Sequence, residues 1–340
     1  MRPRRHRTAS AAAHGHSTRV HFAGAFHPAG ELVTRRAGID VGGTKFLGVV
    51  VDGNGNVVLE RRRPTPKGAD QVIEGLVEFA RELGDWDTLG IGVPGLVTRE
   101  GVLRAAPNLV SVTELAVGPR VAAALGRPVA IDNDATCAAL AEWQYGAGRG
   151  LDDMVMVTLG TGIGGGIVAG GRLQRGANGF AGEIGHIVVD PDGPLCPCGR
   201  RGCWERFASG TGLARLAREH ATGQRVNRVV ELAGGDPELV RGEHVQAAAR
   251  EGDTDALAVI DDFGRWVAIG LVSLANVLDP AMFVLGGGLA ASADILIGPI
   301  ERWFRELLYA PDLRPHPALV FATRGEQAGA VGAALLAEHR

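Results

Sequence analysis

Twice in this chain a short apolar run stops at a pair of glycines and restarts as a second apolar run. Ala37–Val41 leads through Gly42-Gly43-Thr44-Lys45 into Phe46–Val51, and Asp153–Leu159 leads through Gly160-Thr161-Gly162 into a run ending at Gly170-Gly171. Runs of this length bounded by glycine read as strands joined by tight hairpins. A third strand follows in the first half (Asn56–Arg63), then a helix with apolar spacing (Ala69–Leu83) and further strands at Thr88–Val93 and Pro128–Ile131. The second half repeats the theme with longer insertions, ending in strands at Ala281–Leu285 and Ala318–Ala322. The expected fold is therefore a duplicated α/β architecture with a ligand cleft between its halves.

The hairpins suggest phosphate chemistry. Glycines let backbone N–H groups approach an anion, and the Thr44 hydroxyl and Lys45 ammonium add donors. Asp40 ends the strand in front of them. The second hairpin contains Gly160, Thr161, Gly162 and Gly164, and a third glycine cluster around Gly287 follows the strand at 281–285. Neither hairpin is a Walker loop, because no helix follows. Gly160–Gly165 fits the Gly-x-Gly-x-x-Gly dinucleotide pattern, but it runs into a strand and a two-glycine turn where that pattern requires a helix. This speaks against a dehydrogenase.

Asp132-Asn133-Asp134 stands at the carboxyl end of a strand, where open α/β sheets bind ligands. Asp134 is a candidate base, with Asn133 as a reader of hydroxyls. The competing explanation is that Asp132 or Asp134 caps the helix expected over Ala135–Tyr145. Asn108 lies in a loop that can present another amide.

One segment points to a metal. Cys196, Cys198 and Cys203 cluster around the flexible Gly199 and Gly202, and His186 is the nearest fourth ligand. A Cys3His set is tetrahedral and closed, the pattern of structural zinc. Glu183 and Glu205 flank it, so a bound metal would fix two carboxylates. Cys137 is left as a packed core thiol.

Composition excludes several classes. With a formal net charge of −3 and 21% charged residues, nothing electrostatic calls for nucleic acid. No apolar run is long enough to cross a bilayer, since Trp266–Val277 contains Ser273 and Asn276. Clustered, metal-like cysteines indicate a reduced, cytoplasmic setting. Residues 1–36 carry seven arginines, five histidines and one acid and have no periodic apolar face. We expect them to be a basic extension outside the fold, or the true start to be Val33, with Val33–Arg36 directly before the first strand.

These motifs together resemble the ROK family (repressors, open reading frames, kinases), and within it the bacterial glucokinases. The resemblance rests on Asp40–Lys45, Asn133-Asp134, Leu159–Gly166, Gly182–His186 and the Cys-x-Cys-Gly-x-x-Gly-Cys-x-Glu run over 196–205. It implies an actin-like (ribonuclease H-like) ATPase fold of two domains that close over sugar and ATP. The small domain would span 37–134 and be completed by the C-terminal helix 326–340. The large one would span 135–325 and carry the knuckle at 186–205. It further implies ATP-dependent phosphorylation of glucose at its 6-hydroxyl, with N-acetylmannosamine or another hexose as the alternative substrate. Asp134 would be the base, and Asn108, Asn133, Glu183, His186 and Glu205 would contact sugar. Asp40 would hold Mg²⁺ or its water, and His186, Cys196, Cys198 and Cys203 would hold zinc. A homodimer or homotetramer is expected. The family's sugar-sensing repressors need a helix-turn-helix, and the 36 residues before Ala37 lack two amphipathic helices.

Overall fold

The computed structural model describes residues 34–106, 113–222 and 226–339. In the first half, β1 (Arg36–Val41), β2 (Lys45–Val51) and β3 (Val57–Pro64) form a meander, followed by α1 (Ala69–Glu82) and β4 (Thr88–Val93). A small sheet of β5 (Leu96–Val97), β6 (Leu103–Ala105) and β7 (Thr113–Leu115) precedes α2 (Val117–Leu125), β8 (Ala130–Asn133) and α3 (Asp134–Tyr145). The second half opens with a matching meander, β9 (Met154–Leu159), β10 (Ile163–Ala169) and β11 (Arg172–Gln174). Helices α4 (Glu205–Ala208), α5 (Gly210–Thr222), α6 (Asn227–Leu232), α7 (Gly242–Arg250) and α8 (Thr254–Leu278) come next. The half closes with β12 (Met282–Gly286), α9 (Ala293–Leu307), β13 (Ala318–Phe321) and α10 (Ala328–Leu335).

The duplication is visible in the sheets. One has the order β3-β2-β1-β4-β8, the other β11-β10-β9-β12-β13. In both, the first hairpin is antiparallel and the last two strands run parallel to the first. Side-chain alternation sorts each strand between two cores. On β2, Phe46 and Val50 pack toward α1 while Leu47, Val49 and Val51 face the centre. On β9, Val155, Val157 and Leu159 face the outer helices while Met154 and Met156 face the centre.

Two small-residue helices occupy the space between the sheets, and each packs on the sheet of the other half. Helix α10 follows β13 yet lies on β1 and β4. A β-carbon at Gly38 would fall 2.0 Å from the Ala330 carbonyl, and one at Gly90 1.9 Å from that of Ala333. Helix α3 follows β8 yet lies on β9 and β10, where a β-carbon at Gly166 would fall 2.3 Å from the Ala139 methyl. The helices touch where Gly332 meets the Cys137 carbonyl; an added β-carbon would lie 1.7 Å from it. Backbone approach this close requires glycine.

Some expectations need correction. The first strand begins at Arg36, so the basic extension ends no later than residue 35; residues 1–33 lie outside the described residues. Residues Pro237–Arg250 do not form one continuous helix: a short 3₁₀ turn (Pro237–Leu239) precedes α7, because Val240 and Arg241 take extended backbone angles between them. The small β5–β7 sheet and α6 are too short to show periodicity. Among the described residues no helix is long and apolar enough to cross a membrane.

Candidate active site and metal centre

Asp134 is the first residue of α3, and the residue that caps the helix is its neighbour. Asn133 Oδ1 accepts from the amides of Ala135 (2.9 Å) and Thr136 (3.1 Å). Neither Asp132 nor Asp134 is the cap. Asn133 Nδ2 donates one hydrogen to the Gly95 carbonyl at 3.2 Å, so its remaining amide hydrogen, and not its committed oxygen, is what it can offer a ligand. Asp132 is buried and accepts the Asn133 amide at 2.9 Å. Burial pushes the Asp134 carboxyl up to about 6, and the neighbouring Glu183 charge adds to the rise.

A second carboxyl converges on the same place. Asp40, at the end of β1, packs on Gly329 of α10, where a β-carbon would lie 2.7 Å from its Cγ. Burial and then the Asp134 charge push Asp40 up to about 7, while Lys45 opposes them. Two carboxylates in one low-dielectric site repel unless a proton or a cation joins them, so the pair suits a hard divalent ion. Lys45 itself reaches outward to Glu326 at 3.2 Å.

The hairpin turns lie beside these groups in the chain. Gly42 N–H donates to the Lys45 carbonyl, and Thr65 Oγ1 to the Gly42 carbonyl at 2.6 Å. Gly160 N–H donates to the Gly162 carbonyl, and the start of α5 closes on the second turn through Gly210 N–H to the Gly160 carbonyl at 2.7 Å. Gly287, at φ 81°, sits against Leu159, whose carbonyl a β-carbon would approach to 2.6 Å. Gly164, like Gly42 and Gly160, has a committed amide. Its amide donates to Thr158 Oγ1, and a β-carbon there would press on Ala135. It serves the seating of α3, and its amide is not free for a phosphate. Asn108 falls outside the described residues.

The cysteine segment folds as a knuckle. Ligand atoms of His186, Cys196, Cys198 and Cys203 lie within 4.8 Å of one another. Cys196 Sγ is 3.8 Å from His186 Nδ1, and Cys198 Sγ is 3.6 Å from Cys203 Sγ. Zn–S bonds of about 2.3 Å at tetrahedral angles place sulfurs about 3.8 Å apart, so the four residues fit zinc. Burial raises the Cys196 thiol, and Glu205 raises it further; a bound cation reverses that cost by holding thiolates. Gly202 (φ 70°) makes the return possible, since a β-carbon would lie 1.5 Å from the Asp190 carbonyl. Trp204 anchors the knuckle in the core, donating from Nε1 to the Trp266 carbonyl at 2.8 Å and pressing on Gly270 of α8.

Glu205 Oε1 accepts from Cys196 Sγ at 3.0 Å, and its Oε2 faces Ile163 N–H at 3.5 Å. It therefore links the knuckle to the second hairpin. Glu183 Oε2 is 3.9 Å from His186 Nε2, and burial raises its carboxyl. Asp134, Glu183, His186 and Glu205 thus form a connected group, with Asn133 beside it.

Comparison with known proteins agrees with this geometry. The sequence model of the ROK family matches residues 36–340. The chain belongs to the ROK family. The glucokinase of Streptomyces coelicolor is 39% identical over 306 residues, covering 88% of this chain and 96% of that one. The N-acetylmannosamine kinase of Salmonella typhimurium is 33% identical over 305 residues, covering 88% and 97%. Among solved structures, a ROK family glucokinase from Streptomyces griseus in complex with glucose and AMPPNP superposes with a TM-score of 0.79 at 39% identity, covering 89% of this chain and 98% of that one. The fold is accordingly the actin-like ATPase fold of ROK sugar kinases, as the motifs suggested.

Proposed function

We propose that the protein is a glucokinase, transferring the γ-phosphoryl group of ATP to the 6-hydroxyl of glucose. The observation that carries the reading is that Asp134 opens α3 beside Asp40, whose register partner Gly92 would bring an added β-carbon 3.4 Å from the Asp134 Cα, in a chain 39% identical to a glucokinase solved with glucose and an ATP analogue.

In this reading Asp134 accepts the proton of the 6-hydroxyl as that oxygen bonds to the γ-phosphorus and the bond to ADP breaks. A carboxyl raised to about 6 is ionised at neutral pH and more basic than an ordinary aspartate, which favours the transfer. Asn133 contributes its other amide hydrogen, and Asn108, Glu183, His186 and Glu205 read the remaining hydroxyls. A site that pairs each hydroxyl discriminates strongly, because an absent one leaves a buried group unpaired. Amides of Gly43, Gly162 and Gly287, with Thr44 and Thr161, cradle the phosphates, while Gly42 and Gly160, whose amides close their own turns, shape the cradle, and Lys45 offsets charge. Magnesium bound with ATP neutralises the phosphate oxygens, and Asp40 would hold it or its water. His186, Cys196, Cys198 and Cys203 would hold a structural zinc that keeps Glu183 and Glu205 in place.

The halves act as domains in this account: 37–134 with 326–340, and 135–325, closing over sugar and nucleotide. The protein works in the cytoplasm as a homodimer or homotetramer, without nucleic acid or membrane. N-acetylmannosamine is the second substrate to consider, given the 33% identical kinase for that sugar.

An assay with Mg-ATP across glucose, N-acetylmannosamine, N-acetylglucosamine, mannose, fructose and allose tests the reading. The highest kcat/KM is expected for glucose, with glucose 6-phosphate as product. A higher value for N-acetylmannosamine would keep the mechanism and change the substrate. No turnover on any of the sugars would overturn the kinase reading.

A further inference from the structure

Arg175 stands in the loop that follows β11, outside every motif discussed above. Its side chain is mostly enclosed, and its guanidinium is held from two directions. Nε donates to Asp132 Oδ2 at 2.5 Å, and Nη1 donates to the His339 carbonyl at 2.7 Å. Asp132 is more enclosed still, with a side-chain exposure of 7% against 18% for Arg175. Its other oxygen, Oδ1, accepts the amide of Asn133. Asn133 in turn caps α3, whose first residue is Asp134. A line of hydrogen bonds therefore runs from Arg175 through Asp132 to the corner that aims Asp134.

The same loop leads to the sugar side of the site. It continues from Arg175 to Gly182 and enters Glu183. Arg99 of the first half fixes it by donating Nε (3.1 Å) and Nη2 (2.5 Å) to the Gly176 carbonyl. Gly179, at φ 96°, lies so close to the first half that a β-carbon would fall 2.5 Å from the Val97 carbonyl. Within the loop, Ala181 N–H donates back to the Arg175 carbonyl at 3.1 Å. Arg175 thus stands where the arm carrying Glu183 leaves the second sheet and where the arm carrying Asp134 leaves the first. The planar fork of arginine can serve Asp132 and a carbonyl at once; a lysine ammonium is a point charge without that fixed geometry.

We propose that Arg175 is a positioning residue for the phosphoryl transfer: through Asp132 it holds the Asn133–Asp134 corner in register with the Glu183 arm. The inference rests on the reading of Asp134 as the base. A purely structural ion pair would stabilise the fold and leave the turnover of folded molecules unchanged. A positioning residue instead governs kcat, because small displacements of a reacting group cost on the order of 10²-fold in rate.

The test compares three variants of the full chain: Arg175→Lys, the double variant Arg175→Gln/Asp132→Asn, and Asp134→Asn. The double variant removes both charges together, so no unpaired buried charge is left to unfold the protein. Steady-state kcat and glucose KM are measured per folded molecule, with zinc content and thermal midpoint alongside. The expected result is a kcat lowered roughly 10²-fold in the double variant and by less in Arg175→Lys, with glucose KM little changed in both. A lowered midpoint with unchanged kcat in both Arg175 variants would overturn the inference, as would a rise in KM alone. If the double variant does not fold, Arg175→Lys decides by the same criterion. Full turnover in Asp134→Asn would overturn the base reading itself, and the inference with it.

Discussion

The two halves of the molecule share a strand order but differ in what joins the strands. Between β3 and β4 the first half inserts residues 65–87, with α1 as their one helix; between β11 and β12 the second half inserts residues 175–281. The repeated part builds the frame: two sheets, the crossed helices α3 and α10, and a glycine turn in each half. The longer insertion brings the knuckle, Glu183, His186 and Glu205, and the helices that bury Trp204. The shared frame brings Asp134 and Asp40 together, and the unshared part adds the groups assigned to sugar. A duplicated fold therefore explains where the site is, and the insertion accounts for what it would recognise.

The insertion is the place to break the comparison most severely. Cys198→Ser removes one of the four residues proposed to hold zinc. Loss of bound zinc, measured by elemental analysis, and a fall in kcat on the order of 10³-fold are expected, since displaced Glu183 and Glu205 act together. The two sheets should remain folded by circular dichroism. A zinc-free, fully active variant would separate the knuckle from function. The frame breaks elsewhere. Gly332→Val places atoms against the Cys137 carbonyl, and a loss of about 1–3 kcal/mol or more is expected from chemical denaturation. An unchanged midpoint would show that the helix crossing is loose.

Burial makes Asp134 a stability cost as well as the proposed base. Its folded value of about 6 exceeds the ordinary 3.8, so the folded state holds the proton more tightly than the unfolded chain. The stability contributed by this group is complete below about pH 4 and is lost as pH rises through about 6. At pH 8, Asp134→Asn should therefore be more stable than the parent, by on the order of 1–3 kcal/mol. In the parent, kcat/KM should rise with pH through a midpoint near 6 as the base ionises in the free protein. A flat profile between pH 5 and 8 would contradict this assignment. The smallest effect is expected at the rim. Lys45 and Glu326 form an exposed pair, and Glu326→Gln should change stability by less than about 1 kcal/mol.

The frame was legible in the sequence because glycine pairs between apolar runs are a local signal. The strands at 37–41, 46–51 and 88–93 lie within a residue of those observed. The clustering of His186, Cys196, Cys198 and Cys203 was legible for the same reason, since their spacing is short. Contacts between distant segments were not legible. Nothing near Gly164 announces that Ala135 will lie against it, and nothing near Asn133 announces that its side-chain amide will meet the Gly95 carbonyl, 38 residues away. Arg175 and Asp132 are 43 residues apart, and in a chain this rich in arginine no single one stands out.

The most direct test of the account is kcat for Asp134→Asn with glucose and Mg-ATP, measured beside its glucose affinity by calorimetry. The account predicts a kcat lower by roughly 10²- to 10⁴-fold, the range spanned by a positioned general base, with glucose binding nearly unchanged. Turnover close to that of the parent would contradict it and remove Asp134 from the chemistry.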